Sequence, residues 1–136
     1  LDAVVRPGRL LALGAAVHAA LLAGAMQRVF GMTMAYANER VQFGKPIGKF
    51  QAIQHQLSVM AEQVAAASMA AEAAFHSTEG GLPGYAASAV AKSRASEAAQ
   101  FVAATAHAVH GAIGVTEEYD LQLYTRRLHE WHMVHG

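Results

Sequence analysis

Hydrophobic residues recur along this chain at steps of three and four positions, the spacing of one face of an α-helix. Four segments carry the pattern, and their predicted limits are about 9–40, 50–77, 85–110 and 118–134. The first segment is apolar on nearly every side over its first half, so we expect it to be central and buried. None of the segments alternates with the two-residue period of a strand.

Proline and glycine separate these segments. Pro7 and Pro83 each stand beside a glycine, and Pro46 is separated from Gly44 by one residue. Alanine, the strongest helix former, supplies 31 of the 136 residues. Long helices with short connections predict an all-α fold, an up-down four-helix bundle over residues 9–136, with residues 1–8 as a linker from an upstream domain.

The composition narrows the class of protein. Hydrophobic residues make up 54% of the chain and charged residues 15%, which argues against intrinsic disorder. Ten basic residues balance ten acidic ones, so we expect no nucleic-acid partner, because such binding depends on positive charge. The absence of cysteine excludes disulfides and thiolate metal sites, and it agrees with a cytoplasmic location.

The longest uncharged run extends from Leu10 to Gln27. It is rich in alanine and glycine, contains a histidine, and is short for a membrane span of about 20 apolar residues. We therefore expect a buried helix of a folded domain and no membrane span.

Eight histidines suggest a metal site, and residue spacing tests this hypothesis. A metalloprotease helix needs a second histidine four residues after the first, but His129-Glu130 is followed at that position by Met133. No glutamate has a histidine three residues later, as a di-iron bundle requires. We therefore interpret the histidines as structural and expect no metal.

The polar segment 39–51 differs from its surroundings, because it holds three cations and little alanine. Cations at the end of a helix complement its dipole, which is one interpretation. The other is an anion site, in which Arg40 donates to a phosphate through its planar guanidinium and Phe43 supplies a flat apolar neighbour. Gln42 and Gln51 would add neutral hydrogen bonds. Spacing alone leaves both interpretations open.

Two sequence motifs carry a resemblance to a known family. Segment 39–51 has the form Glu-Arg-x-x-Phe-Gly-x-Pro-Ile followed by Phe-Gln, and segment 110–121 has the form His-Gly-x-Ile-Gly-x-Thr-x-Glu-Tyr-Asp-Leu. Together with the Leu-Tyr-Thr-Arg-Arg run at 123–127, they closely resemble the C-terminal helical domain of the acyl-CoA dehydrogenases. The resemblance covers residues from about 9 to 136 and implies a matching four-helix bundle.

The resemblance implies that this domain contributes to an FAD site shared between subunits. In the family, the arginine that matches Arg40 meets the FAD diphosphate, and the loop that matches 110–112 lies by the FAD of another subunit. The residues that the resemblance assigns to cofactor binding are Arg40, Gln42, Phe43, Phe50, Gln51, His110 and Gly111. For Phe43 and Phe50, core packing is the alternative.

The resemblance also implies an oxidoreductase of fatty acid metabolism, which oxidises the Cα–Cβ bond of an acyl-CoA thioester. A base removes the α proton while the β hydrogen leaves as hydride to the flavin. The implied partners are the acyl-CoA substrate, related subunits in a homo- or hetero-oligomer (dimer or tetramer), and an acceptor similar to electron-transfer flavoprotein.

The usual base of the family is missing from this sequence. Many members have a glutamate just before a glycine near the end of this domain, and His135 stands at that position before Gly136. Other members place the glutamate in the first helix, at a position that falls near Gly14, where no acidic residue is close. A histidine can accept a proton at neutral pH, so His135 is the candidate catalytic residue. The alternative is a surface histidine at a frayed end.

Two further departures affect the flavin loop, since many members have glutamine where this chain has Ala108 and a second glycine where it has Ala112. Together these losses predict a subunit that contributes FAD and oligomer contacts without the usual catalytic glutamate. The competing hypothesis is a non-catalytic helical assembly module that has lost flavin binding.

Overall fold

The computed structural model describes residues 7–76, 78–79, 81–111 and 126–127. The elements in chain order are helix α1 (Pro7–Glu39), strands β1 (Val41–Gln42) and β2 (Lys45–Pro46), a 3₁₀ turn (Ile47–Lys49), helix α2 (Gln51–His76), strands β3 (Thr78–Glu79) and β4 (Leu82–Pro83), and helix α3 (Tyr85–His110). The all-α fold is confirmed, and three predicted segments match α1, α2 and α3 closely. The predicted fourth helix, 118–134, lies outside the described residues except for 126–127, which are helical.

Two short antiparallel strand pairs connect the helices. Val41 pairs with Pro46 in the first, and Thr78 pairs with Pro83 in the second. Sequence periodicity gave no signal for these two hairpins, which lie between the helical segments. Each strand is two residues long, which is too short to display the alternation by which strands are recognised.

Close contacts at both ends set the directions of the helices. At one end a Cβ added to Gly8 would collide with the phenol of Tyr85, so the start of α1 lies against the start of α3. At the other end Tyr36 stacks on His110, the last residue of α3. α1 and α3 therefore run parallel, and α2, which a hairpin joins to each of them, runs in the opposite direction.

Small side chains bring the three helices close together. The largest fully buried residues are few, and alanines such as Ala16, Ala67 and Ala99 occupy much of the remaining core. Small residues at helix contacts permit close approach and dense packing. The hydrophobic residues with the largest fully buried side chains are Leu22, Met26, Val29, Met60 and Val102.

α1 contacts both other helices, as do α2 and α3, so the expectation that α1 is central and buried over its first half is wrong. One of its faces is exposed, and that face carries Leu10, Val17 and Leu21. Leu10–Glu39 is long enough to span a membrane, and an 18-residue window within it has a mean hydropathy of 1.7. The core helix of a soluble protein has the same length and composition.

One polar cluster lies inside the bundle, away from the predicted site. Lys92 of α3 is buried, and its Nζ donates to Ser96 Oγ at 3.0 Å. Burial lowers the pKa of Lys92 below its usual value, because a charged ammonium is disfavoured away from water. Ser88, one turn earlier, is buried with its Oγ unpaired among the described residues.

Candidate functional site

The hairpin after α1 has a two-residue turn, Phe43-Gly44. Both residues have positive φ, 53° and 81°, which is the pattern of a type I′ turn. Glycine adopts this backbone freely, but an aromatic residue there costs about 1–3 kcal/mol. Phe43 gains little packing in return, since the residue is 92% exposed. A strained, exposed aromatic ring at a turn is typical of a contact surface.

Arg40 is held at the junction between α1 and this hairpin. Its N–H donates to the Tyr36 carbonyl at 2.8 Å, and its own carbonyl accepts from the Ile47 N–H at 2.7 Å. The turn can approach α1 this closely because Gly48 has no side chain, and a Cβ there would lie 3.2 Å from the Ala37 carbonyl oxygen. The backbone of Arg40 is therefore fixed from both sides.

The Arg40 side chain contains a buried donor. Its Nε has no hydrogen-bond partner among the described residues, although it is removed from solvent. A buried, unpaired N–H costs about 1–3 kcal/mol, so such a donor usually has a ligand to satisfy it. Since a guanidinium is always charged, the ligand that suits it is an anion.

The end of α3 approaches the end of α1 through an aromatic stack. The rings of Tyr36 and His110 lie 4.5 Å apart between centroids, with 22° between their planes. His110 Nδ1 donates to the Ala106 carbonyl at 2.8 Å, which fixes the ring on its own helix. Gly111 then ends α3 with φ 66° and ψ −156°, a backbone conformation that only glycine adopts readily.

These elements enclose a cleft of about 280 Å³ between the hairpin, the start of α2 and the ends of α1 and α3. Arg40 contributes the permanent charge, and none of the lining residues that the structure describes is acidic. The lining therefore favours an anion that also presents a flat or apolar part. The residues that line the cleft are Tyr36, Arg40, Gln42, Phe43, Ile47, Phe50, Ile53, Val109, His110 and Gly111.

Phe50 anchors the outer wall of this cleft. Its ring packs partly against the core and meets Phe43 edge-on, with centroids 6.3 Å apart and planes at 85°. Lys45 Nζ lies 4.5 Å from the centroid of the same ring, within the range of a cation–π contact. Core packing thus accounts for Phe50 in part, but it does not account for the exposed Phe43.

Six of the seven residues predicted to bind a cofactor line this one cleft, although they come from distant parts of the sequence. The seventh, Gln51, is exposed at the start of α2 and is not among the lining residues. The predicted catalytic residue, His135, lies outside the described residues. The sequence did not single out Tyr36, although it stands four residues before Arg40, about one helical turn.

Comparison with known proteins gives the family. The protein-family model described as acyl-CoA dehydrogenase, C-terminal domain, matches residues 7–131. Acyl-CoA dehydrogenase IpdE2 of Mycolicibacterium smegmatis is 41% identical over 106 residues, which cover 78% of this chain and 32% of the relative.

Solved structures agree with this match. Butyryl-CoA dehydrogenase from Megasphaera elsdenii has a TM-score of 0.86 and 31% identity, covering 95% of this chain and 34% of that protein. A chain from a structure of the electron transferring flavoprotein of Acidaminococcus fermentans has a TM-score of 0.85 and 32% identity, and the match covers 93% of this chain and 33% of that one. The chain thus spans about a third of the length of these proteins. It belongs to the acyl-CoA dehydrogenase family, as a C-terminal helical domain.

Proposed function

We propose that this domain forms part of the FAD site of an acyl-CoA dehydrogenase-like oxidoreductase, in which Arg40 binds the FAD diphosphate. The observation that carries the proposal is the buried Nε of Arg40, which no residue of the described ranges pairs, in a cleft to which those ranges contribute no acidic side chain. A guanidinium offers a fork of donors that suits phosphate oxygens. Phe43 and Phe50 add apolar surface for the rest of the nucleotide.

The size of the cleft supports a shared site. A volume of about 280 Å³ is at the lower limit of pockets that enclose a small ligand, roughly 300–1,000 Å³. FAD is larger than this cleft, so the domain holds one part of it, and other domains or subunits hold the rest. When bound, FAD would supply the hydride acceptor of the reaction, and the residues of this chain would hold its anionic part and shield that part from water.

The α proton of the acyl-CoA leaves to a base that α1 does not supply. Helix α1 has a single acidic residue, Glu39 at its last position, far from Gly14. His18, one turn after Gly14, has its Nδ1 2.9 Å from the Gly14 carbonyl oxygen. We therefore assign the base either to His135 or to a partner subunit, and we favour the partner because this chain lacks both family carboxylates.

Exposed apolar surface supports assembly with related subunits. Large hydrophobic side chains are exposed on all three helices, including Val17 on α1, Met69 on α2 and Phe101 on α3. Leu10, Val17 and Leu21 share one exposed face of α1, and an exposed apolar face is often an interaction surface. The proposal therefore includes a homo- or hetero-oligomer, with an electron acceptor similar to electron-transfer flavoprotein.

The test measures flavin bound by the intact protein that contains this domain. We expect a yellow protein, and we expect Arg40→Ala to weaken FAD binding at least tenfold, since a hydrogen bond to a charged group is worth about 1.5–3 kcal/mol. The matched control is Arg94→Ala, which removes an exposed guanidinium whose ion pair with Glu97 is 3.8 Å long. An unchanged flavin content in Arg40→Ala contradicts the proposal. A colourless wild type that takes up no FAD supports the non-catalytic assembly module instead.

A further inference from the structure

The segment that borders the cleft, residues 40–61, carries positive charge only. It holds Arg40, Lys45 and Lys49, and it contains no aspartate or glutamate. The part of α3 that reaches the cleft, residues 98–111, contains no acidic residue either. Glu39, which precedes this segment, is exposed and is not among the lining residues. Because the chain as a whole is neutral, the excess of positive charge beside the cleft is local.

Lys45 stands at the mouth of the cleft. It pairs with Gln42 across the two strands of the hairpin, directly beside the turn formed by Phe43-Gly44, and the residue is exposed. Its Nζ lies 4.5 Å from the centroid of the Phe50 ring, and Phe50 lines the cleft whereas Lys45 does not. A single aromatic ring therefore connects this ammonium to the lining, while the ammonium itself stays in contact with solvent.

Stabilisation of the helices does not account for the two lysines. A cation stabilises a helix from within its last turn, but the last turn of α1 has no basic residue, and Lys45 follows at the far end of the hairpin. Lys49 is exposed and comes two residues before Gln51, the start of α2, where the helix dipole disfavours a positive charge. Neither lysine forms a salt bridge with an acidic residue of the described ranges.

We propose that Lys45 and Lys49 attract the diphosphate of a flavin nucleotide to the mouth of the cleft, from which it passes to Arg40. Exposed charges at a mouth increase the rate of association, whereas a buried donor that contacts the ligand slows its dissociation. The inference rests on the proposed function and goes beyond it, because it assigns the capture of the cofactor to residues outside the cleft. No covalent bond and no proton changes in this step.

The expected size follows from Coulomb attraction in water. A diphosphate with about two negative charges, at about 10 Å from one ammonium, is attracted enough to speed its arrival roughly threefold at low salt. Loss of both lysines should therefore slow the association of FAD about fivefold to tenfold in about 10 mM salt. In about 0.15 M salt, where charges are screened beyond about 8 Å, the effect should fall to about twofold.

Stopped-flow fluorescence of FAD, mixed with the apo form of the intact protein at these two salt concentrations, gives the association rate constant kon. Displacement of bound FAD gives the dissociation rate constant koff. The test variant is Lys45→Gln with Lys49→Gln, and its conservative counterpart, Lys45→Arg with Lys49→Arg, keeps both charges.

The matched control is Arg28→Gln with Arg94→Gln, which also removes two exposed cations. These lie outside the lining, one on α1 about 18 Å of helix before Arg40 and one on α3 about 24 Å of helix before His110. Both lengths exceed the range of screened charges in about 0.15 M salt, so this control should leave kon close to the wild-type value there.

We expect the glutamine pair at 45 and 49 to lower kon in low salt by more than the remote control does, with koff unchanged, and we expect the arginine pair to retain the wild-type kon. An unchanged kon in the glutamine pair, a fall no larger than that of the remote control, or a slow kon in the arginine pair overturns the proposal.

A faster koff with an unchanged kon also overturns it, because the lysines would then act only by packing against Phe50. The Arg40→Ala variant separates this failure from that of the proposed function. A faster koff in Arg40→Ala together with an unchanged kon in the glutamine pair removes the role of the lysines alone, whereas unchanged FAD binding in Arg40→Ala removes both.

Discussion

Phe43 offers a test in which stability and cofactor binding move in opposite directions. Its left-handed backbone, φ 53°, costs about 1–2 kcal/mol for a residue with a bulky side chain. Asparagine tolerates this conformation and is common at the first central position of type I′ turns. Since Phe43 is 92% exposed, Phe43→Asn loses little packing. We expect a net gain of about 1 kcal/mol, which is a rise of roughly 2–4 °C in the unfolding midpoint.

The same substitution removes an aromatic ring from the mouth of the cleft, so we expect FAD to bind more weakly. Phe43→Ala separates the two effects, because alanine also loses the ring but remains strained at positive φ. Thermal unfolding of the apo form, followed by FAD titration, measures both quantities for the intact protein. We expect weaker FAD binding in both variants and a higher midpoint in Phe43→Asn alone. A lower midpoint in Phe43→Asn, or unchanged FAD affinity in both variants, would refute the argument that strain is maintained here for binding.

Three further predictions concern the core, the end of α3 and the buried lysine. Met60→Ala is expected to lower the free energy of unfolding by about 2–5 kcal/mol because Met60 is fully buried. Glu62→Ala, at an exposed site of the same helix, is expected to change it by less than about 0.5 kcal/mol. Similar losses in denaturant titrations of the two variants would contradict the observed packing. Gly111→Ala places a side chain on a backbone conformation that strongly favours glycine, so we expect the free energy of unfolding to fall by about 1–3 kcal/mol. We also expect the variant to retain less FAD. Wild-type stability together with wild-type FAD retention would count against this backbone geometry. The pKa of Lys92 is lower in the folded protein than in the unfolded chain. Between these two pKa values the unfolded chain binds more protons than the folded protein, so the free energy of unfolding rises with pH. The unfolding free energy of the wild type should therefore rise relative to Lys92→Met between pH 8 and pH 10, and a difference that does not vary with pH would contradict the assignment.

The sequence was sufficient to predict the helices and much of the cleft. Helix periodicity and the Gly-Pro breaks located α1, α2 and α3, because these signals are local. The resemblance then named Arg40 and His110, which lie 70 positions apart in sequence but line the same cleft. A family motif carries this long-range information, and periodicity does not.

Other features depend on three-dimensional packing that no local pattern records. The stack of Tyr36 on His110 requires α1 and α3 to run parallel and to end at the same level. The hairpins were missed because their two-residue strands carry no alternation. The exposed face of α1 was expected to be buried, since an apolar face looks the same in sequence whether its own domain or a partner covers it.

The decisive measurement is a structure of the intact assembly with FAD bound. If Arg40 binds the cofactor, its guanidinium lies within hydrogen-bond distance, about 2.7–3.2 Å, of a diphosphate oxygen of FAD. Phe43 and His110 then border the same nucleotide. An Arg40 side chain that is directed into solvent, far from any nucleotide, would show that this domain is a purely structural part of the protein.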